Sequence, residues 1–154
     1  MKNPILKYWN YARSTAFGRR IFSFLIGFYV PYSGSVSPSI EEISKGSAIV
    51  SIKEKWFIRN HLKSVHAIAL ANVGEFSSGL AMLASLPENS RGIVKNIEIE
   101  YIKKARGKIT AKGSAPEIGD LTENIEKIAI AEMLDSTDEV VARMKVYWQI
   151  GPRQ

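Results

Sequence analysis

The chain has 154 residues, 45% hydrophobic and 23% charged, which suits one domain with its own core and argues against disorder. It holds no cysteine, which excludes disulfides, thiolate metal ligands and cysteine nucleophiles. Two histidines, His61 and His66, are too few for a zinc site of the usual kind, so no metal is expected. The formal net charge of +6 suits nucleic acid, a membrane surface or an acidic small molecule, without choosing among them.

At the N-terminus Lys2, Lys7, Arg13, Arg19 and Arg20 precede "IFSFLIGFYV", an apolar run of ten residues. A bilayer span needs about 20. A secretory signal would carry a shorter basic region and a small-x-small cleavage site, and "VPYSGS" is a poor one. The segment is therefore expected to pack on the domain, and the protein to be cytoplasmic. Ile5, Leu6, Trp9, Ala12, Ala16 and Phe17 fall at helical spacing, with Gly18 as a stop. Ile21 to Tyr29 predicts a second short helix, and Pro31 and Pro38 frame an extended stretch.

From Gly46 the period changes to two. Ala48, Val50 and Ile52 alternate with Ser47, Ser51 and Lys53, which predicts a strand. Val65 to Leu86 is apolar on nearly every side of a helical wheel, so it predicts a helix inside something. Ser64 is its expected N-cap and Pro87 its stop. Alternation then predicts four strands, around Ile97–Tyr101, Ile109–Ala111, "IEKIAIAEML" and Val140–Ile150. The connections "KARG", "PEIGDLTE" and "DSTDE" are short, which predicts hairpins or a meander. The class is α+β: a helical extension over residues 1–29 packs on a domain over 30–154, whose antiparallel sheet must curl around the apolar helix to bury it.

One carboxylate, Glu75, interrupts that helix. An unpaired buried charge is costly, so such a residue is exposed, paired or functional. Its neighbours one turn away, Ala71, Asn72, Ser78 and Gly79, are small or polar, which makes that face a groove able to accept a substrate. The competing reading pairs Glu75 with a basic side chain across a subunit interface. His66, nine residues earlier, lies on the opposite face and cannot form a dyad with it; it fits a role in shaping the loop at the helix start. Free N–H groups at that start can bind developing negative charge. Lys103, Lys104, Arg106, Lys108 and Lys112 cluster further on. They read either as a solvated turn guarding a strand edge or as a contact for phosphates. Nucleic acid fits less well, because no exposed aromatic series interleaves the charges.

The run "N60-HLKSV-H66-A67 … E75" resembles the signature of the PaaI-like group of hotdog acyl-CoA thioesterases, and the added N-terminal helices resemble an uncharacterised DUF4442-type subgroup. The signature has an asparagine, five residues, a histidine followed by glycine, and an Asp or Glu nine residues past the histidine. Lys63, Ser64, Ala67 and Ile68 stand where the family usually has glycines. The resemblance covers roughly residues 30 to 150. It implies a hotdog fold: a curled antiparallel sheet around a long central helix. It also implies thioester hydrolysis, with the Ala67 N–H polarising the carbonyl, Asn60 holding water or substrate, His66 at the loop and Glu75 as general base or nucleophile. Ser78 and Gly79, with Lys103, Lys104, Arg106 and Lys108, would contact the acyl-coenzyme A. No cofactor is implied beyond coenzyme A as part of the substrate.

The same resemblance implies a homodimer or homotetramer with each site between two subunits, and neither nucleic acid nor stable membrane insertion. Two other readings stay open. One is a hydroxyacyl dehydratase, since His61 lies fourteen residues before Glu75, although the Pro- and Gly-rich loop of that family is absent. The other is a non-catalytic acyl-binding or scaffold protein, which the missing glycines favour and the retained Asn60 and Glu75 oppose.

Overall fold

Helix α4 (Ala67–Ser85) is the axis of the molecule, and it is buried on almost every side, as its all-round apolar sequence requires. The structure is a computed structural model that describes residues 3–153. Lys2, one of the N-terminal basic residues above, lies outside them, as do Met1 and Gln154. Six strands wrap the helix: β1 (Ser39–Ser44), β2 (Ser47–Lys53), β3 (Ser90–Tyr101), β4 (Lys108–Ser114), β5 (Ile125–Leu134) and β6 (Val140–Pro152). All pairings among the described residues are antiparallel, in the order β1-β2-β4-β5-β6-β3. This is the hotdog arrangement. Although α4 is long and apolar enough to cross a membrane, it is the core helix of this fold, mostly buried in protein.

Small residues let the sheet close on the helix. A Cβ on Gly113 of β4 would sit 2.3 Å from the Ser77 carbonyl carbon, and one on Gly74 2.9 Å from Met133 Sδ. The helix brings three buried hydroxyls: Ser77 and Ser78 donate to the Gly74 carbonyl at 3.0 and 2.9 Å, while Ser85 Oγ has no hydrogen-bond partner among the described residues. Met82, Val73, Ile109, Met133 and Val146 fill the space between the two layers. Cutting Met82, Ile109 or Met133 to alanine removes about 2–5 kcal/mol.

The N-terminal helices differ from expectation. Instead of running to Phe17, the first ends at Ala12: α1 is Pro4–Ala12 and α2 is Ala16–Tyr29. Thr15 starts α2 by accepting from the Gly18 N–H (2.9 Å). Gly18 therefore stops nothing; its missing side chain lets α2 approach the end of α1, where a Cβ would meet the Ala12 carbonyl oxygen at 2.4 Å. Trp9 and Phe22 pack together with ring centroids 5.3 Å apart. Pro31 opens one helical turn, α3 (Pro31–Gly34), rather than extended chain, because proline is favoured at a first helical position. Polar anchors fix this layer. Asn3 Nδ2 donates to the carbonyls of Leu83 and Leu86 at the end of α4, and Asn72 Nδ2 donates to the Tyr32 carbonyl. Ser23 Oγ accepts from the Ile40 N–H on edge strand β1.

Two further expectations need correction. The "KARG" connection is not a hairpin. β3 pairs with β6, and β4 lies between β2 and β5, so residues 102–107 cross the end of the curled sheet. Ala105, fully buried, holds this crossover down: its carbonyl accepts from the Val65 N–H at 2.8 Å, just ahead of α4. The N-cap of α4 is His66 and not Ser64. Ser64 is buried and spends its hydroxyl on Asn60.

Candidate active site

The loop before α4 is held at both ends. Glu54 accepts from the Gly107 N–H and pairs with Arg59, and these contacts keep its carboxyl below the ordinary value. Between them the chain turns tightly around Asn60. Its Oδ1 accepts from the Leu62 N–H (2.9 Å), the Ser64 N–H (3.2 Å) and the Ser64 hydroxyl (3.1 Å). The carboxamide oxygen thus builds the loop, while Nδ2 donates to nothing among the described residues and is left for another acceptor. Lys63 takes φ +56° in this turn, a left-handed conformation that favours glycine.

At the helix start His66 Nδ1 accepts from the Ile68 N–H at 3.1 Å. That bond uses the Nδ1 lone pair, so the ring nitrogen left over is Nε2, on the far side of the imidazole. His66 thus caps the start of α4. The Ala67 N–H, first in the helix, donates to no group among the described residues and carries the positive end of the helix dipole. Beside it, Tyr101 at the end of β3 donates its hydroxyl to the Ala67 carbonyl (3.0 Å), and partial burial pushes its pKa up. Nothing in the sequence points to Tyr101, because only the curl of the sheet brings the end of β3 to this helix.

Glu75 is half-buried, and its carboxylate has no ion pair or hydrogen bond among the described residues. Desolvation alone pushes its pKa up. It lies over Gly79: a Cβ there would have Glu75 Oε1 and Trp148 Cζ2 as its neighbours, each at 3.7 Å. Trp148 on β6 is buried, and its Nε1 has no hydrogen-bond partner among the described residues; the same holds for Asn72 Oδ1, one turn before Glu75. Sequence spacing carries no sign of either orphaned atom. Within one chain Ala67 and Glu75 are separated by roughly 12 Å along the axis, too far to act on one small group. His61 is exposed in the loop.

The remaining candidates divide. Ser78 is fully buried with its hydroxyl turned back to Gly74, so it faces the core; Gly79 is in the groove. Lys103 bridges Asp135 (2.8 Å) and Glu139, which raises its own pKa and holds Asp135 far below the carboxylate range. Lys108 approaches Glu41 at 3.6 Å. Lys104, Arg106 and Lys112 are exposed cations with no ion pair among the described residues.

Residues 18–150 match the model of a domain of unknown function, DUF4442. The chain belongs to that family. No curated protein matches this DUF4442 chain. Among solved structures, a structural-genomics target, APC5556, is 25% identical with a TM-score of 0.81, covering 96% of this chain and 97% of that one. A Pseudomonas aeruginosa protein of unknown function, PA5026, described as a probable thioesterase, is 20% identical with a TM-score of 0.77, covering 85% and 93%. The Escherichia coli PaaI protein of the phenylacetic acid degradation operon is 13% identical with a TM-score of 0.66, covering 84% and 97%. These likenesses place the DUF4442 chain in the hotdog fold.

Proposed function

We propose that this DUF4442 protein is an acyl-CoA thioesterase whose site forms between two subunits. The observation that carries the reading is the Glu75 carboxylate, desolvated, without a cation among the described residues and open beside Gly79. Such a group holds its proton more tightly than an ordinary glutamate and is a better general base near neutral pH.

The reaction follows from the two halves of the site. The thioester carbonyl oxygen takes a hydrogen bond from the Ala67 N–H, in the field of the helix start. Water held by Asn60 Nδ2 attacks the carbonyl carbon as Glu75 takes its proton. The tetrahedral intermediate collapses with cleavage of the C–S bond, and the proton passes to the leaving thiolate, giving the acid and free coenzyme A. Because Ala67 and Glu75 of one chain are too far apart, the helix start of one subunit serves the carboxylate of the other. Edge strand β3 suits that assembly: one side of it has no strand partner among the described residues, and it carries half-exposed Ile97 and Tyr101, with exposed Ile68 on α4. Of the proposed coenzyme A contacts, Lys104 and Arg106 have no ion pair among the described residues and would meet its phosphates.

Release of free thiol from a panel of acyl-CoAs tests the activity. Mixing Asn60→Ala and Glu75→Gln proteins, each inactive alone, tests the shared site: exchange should restore about a quarter of wild-type turnover. Acyl-CoA binding without thiol release would point instead to an acyl-binding protein.

A further inference from the structure

Helix α2 is apolar on two sides. Phe22, Ser23 and Ile26 face the domain, while Phe17, Phe24, Leu25 and Phe28 point outward, continued by Tyr29 and Tyr32. The outward groups are not grazing contacts: Phe28 is 79% exposed and Tyr29 83%. Contiguous aromatic surface of this kind is unusual on a protein that stays alone in water. The charge is equally one-sided. Residues 1–40 contain Lys2, Lys7, Arg13, Arg19 and Arg20 and no acidic residue, the first being Glu41. Arg20 lines a groove of about 490 Å³ between α2 and the start of β1, together with Phe24, Phe28, Pro31 and Pro38.

We propose that the outer face of α1–α3 docks on an anionic lipid surface, its aromatic side chains entering the headgroup region and its arginines meeting lipid phosphates. A peripheral helix of this type buries its apolar side about 5–10 Å into the interface, and flanking basic residues add attraction to acidic lipid. Charge separates this occupant from a second copy of the chain. A two-fold contact would set the arginines of one copy against those of the other, with no carboxylate within residues 1–40 to pair them. Position favours it as well: α2 packs on β1, whereas β3 is the opposite edge of the sheet. Docking therefore leaves β3 free, and the inference stands whether or not the protein hydrolyses thioesters.

Co-sedimentation of the full chain with phosphatidylcholine vesicles, with and without phosphatidylglycerol, tests this. Wild type should bind the phosphatidylglycerol vesicles, and salt should weaken the binding. Phe24→Ser with Phe28→Ser, and separately Arg13→Gln with Arg20→Gln, should each reduce partitioning by about tenfold or more. All four side chains are exposed, so melting should stay near wild type; the arginine pair gives an independent reading if the serine variant misfolds. Absence of binding to the anionic vesicles overturns the proposal, as does binding that neither variant changes. A serine variant that drops to a smaller species in sedimentation velocity, with no lipid binding by wild type, assigns the face to a second copy and also overturns it.

Discussion

Glu75 Oε1 lies 3.7 Å from the point where a side chain on Gly79, one turn along α4, would begin. The glycine keeps the space beside the carboxylate open, although glycine inside a helix costs roughly 0.5–1 kcal/mol relative to alanine. Gly79→Ala meets only ordinary van der Waals distances, so it should raise stability by about that amount. Its methyl group occupies the groove, however, and turnover should fall by roughly tenfold or more. Urea unfolding and thiol release, run on the same preparation, check both directions.

His66 should behave as a cap before anything else. Losing the bond to the Ile68 N–H in His66→Ala should cost about 1 kcal/mol. The substitution His66→Asn offers a carboxamide oxygen to the same N–H and should recover most of that loss. Chemical denaturation of both variants decides the matter, and equal loss in the two would deny the cap.

Lys63 sits in left-handed backbone, at a place where the related signature has glycine. Lys63→Gly should leave the Asn60 turn intact and stabilise the protein by about 0.5–1 kcal/mol. A destabilised variant would mean that the lysine side chain contributes more than its backbone costs.

Coenzyme A recognition should depend on the unpaired cations. Lys104→Ala and Arg106→Ala should weaken binding of acyl-CoA but not of the matching pantetheine thioester, and added salt should shrink the difference. Lys103→Ala should act mainly on stability, because Lys103 already bridges Asp135 and Glu139. Isothermal titration at two salt concentrations separates these effects.

The sequence carries the central helix and most strands, since apolar spacing reports burial directly. What it cannot carry is order in space. The β3–β4 crossover depends on the curl of the whole sheet, so a short connection reads as a hairpin and is not one. Ser64 is the better capping residue by preference, yet Asn60 claims its hydroxyl and leaves the cap to His66. Gly18 reads as a stop only while the approach of α2 to α1 is unknown. At the site, the Asn60, His66 and Glu75 spacing is legible, but Tyr101 is not, and neither are the carboxylates that occupy Lys103. Those partners are joined by the fold and not by proximity in the chain.

The raised pKa of Glu75 has consequences for both stability and rate. A carboxyl that binds its proton more tightly when folded loses stability as it ionises. The loss begins near the unfolded value of about 4.3 and is complete above the folded one. Glu75→Gln and wild type should therefore melt alike at low pH, with the variant gaining ground as pH rises. Wild-type turnover should climb with pH through an apparent pKa above about 4.3. A rate independent of pH across the acid range would deny Glu75 the role of base.

Turnover and melting of Glu75→Gln at neutral pH test the central claim most directly. Glutamine keeps the size of the side chain but cannot take a proton from water. Acyl-CoA hydrolysis should fall by about 10²- to 10⁴-fold, while the melting temperature holds or rises. A variant that melts early and still releases coenzyme A at close to the wild-type rate would contradict the account, and would make Glu75 one half of an ion pair between subunits.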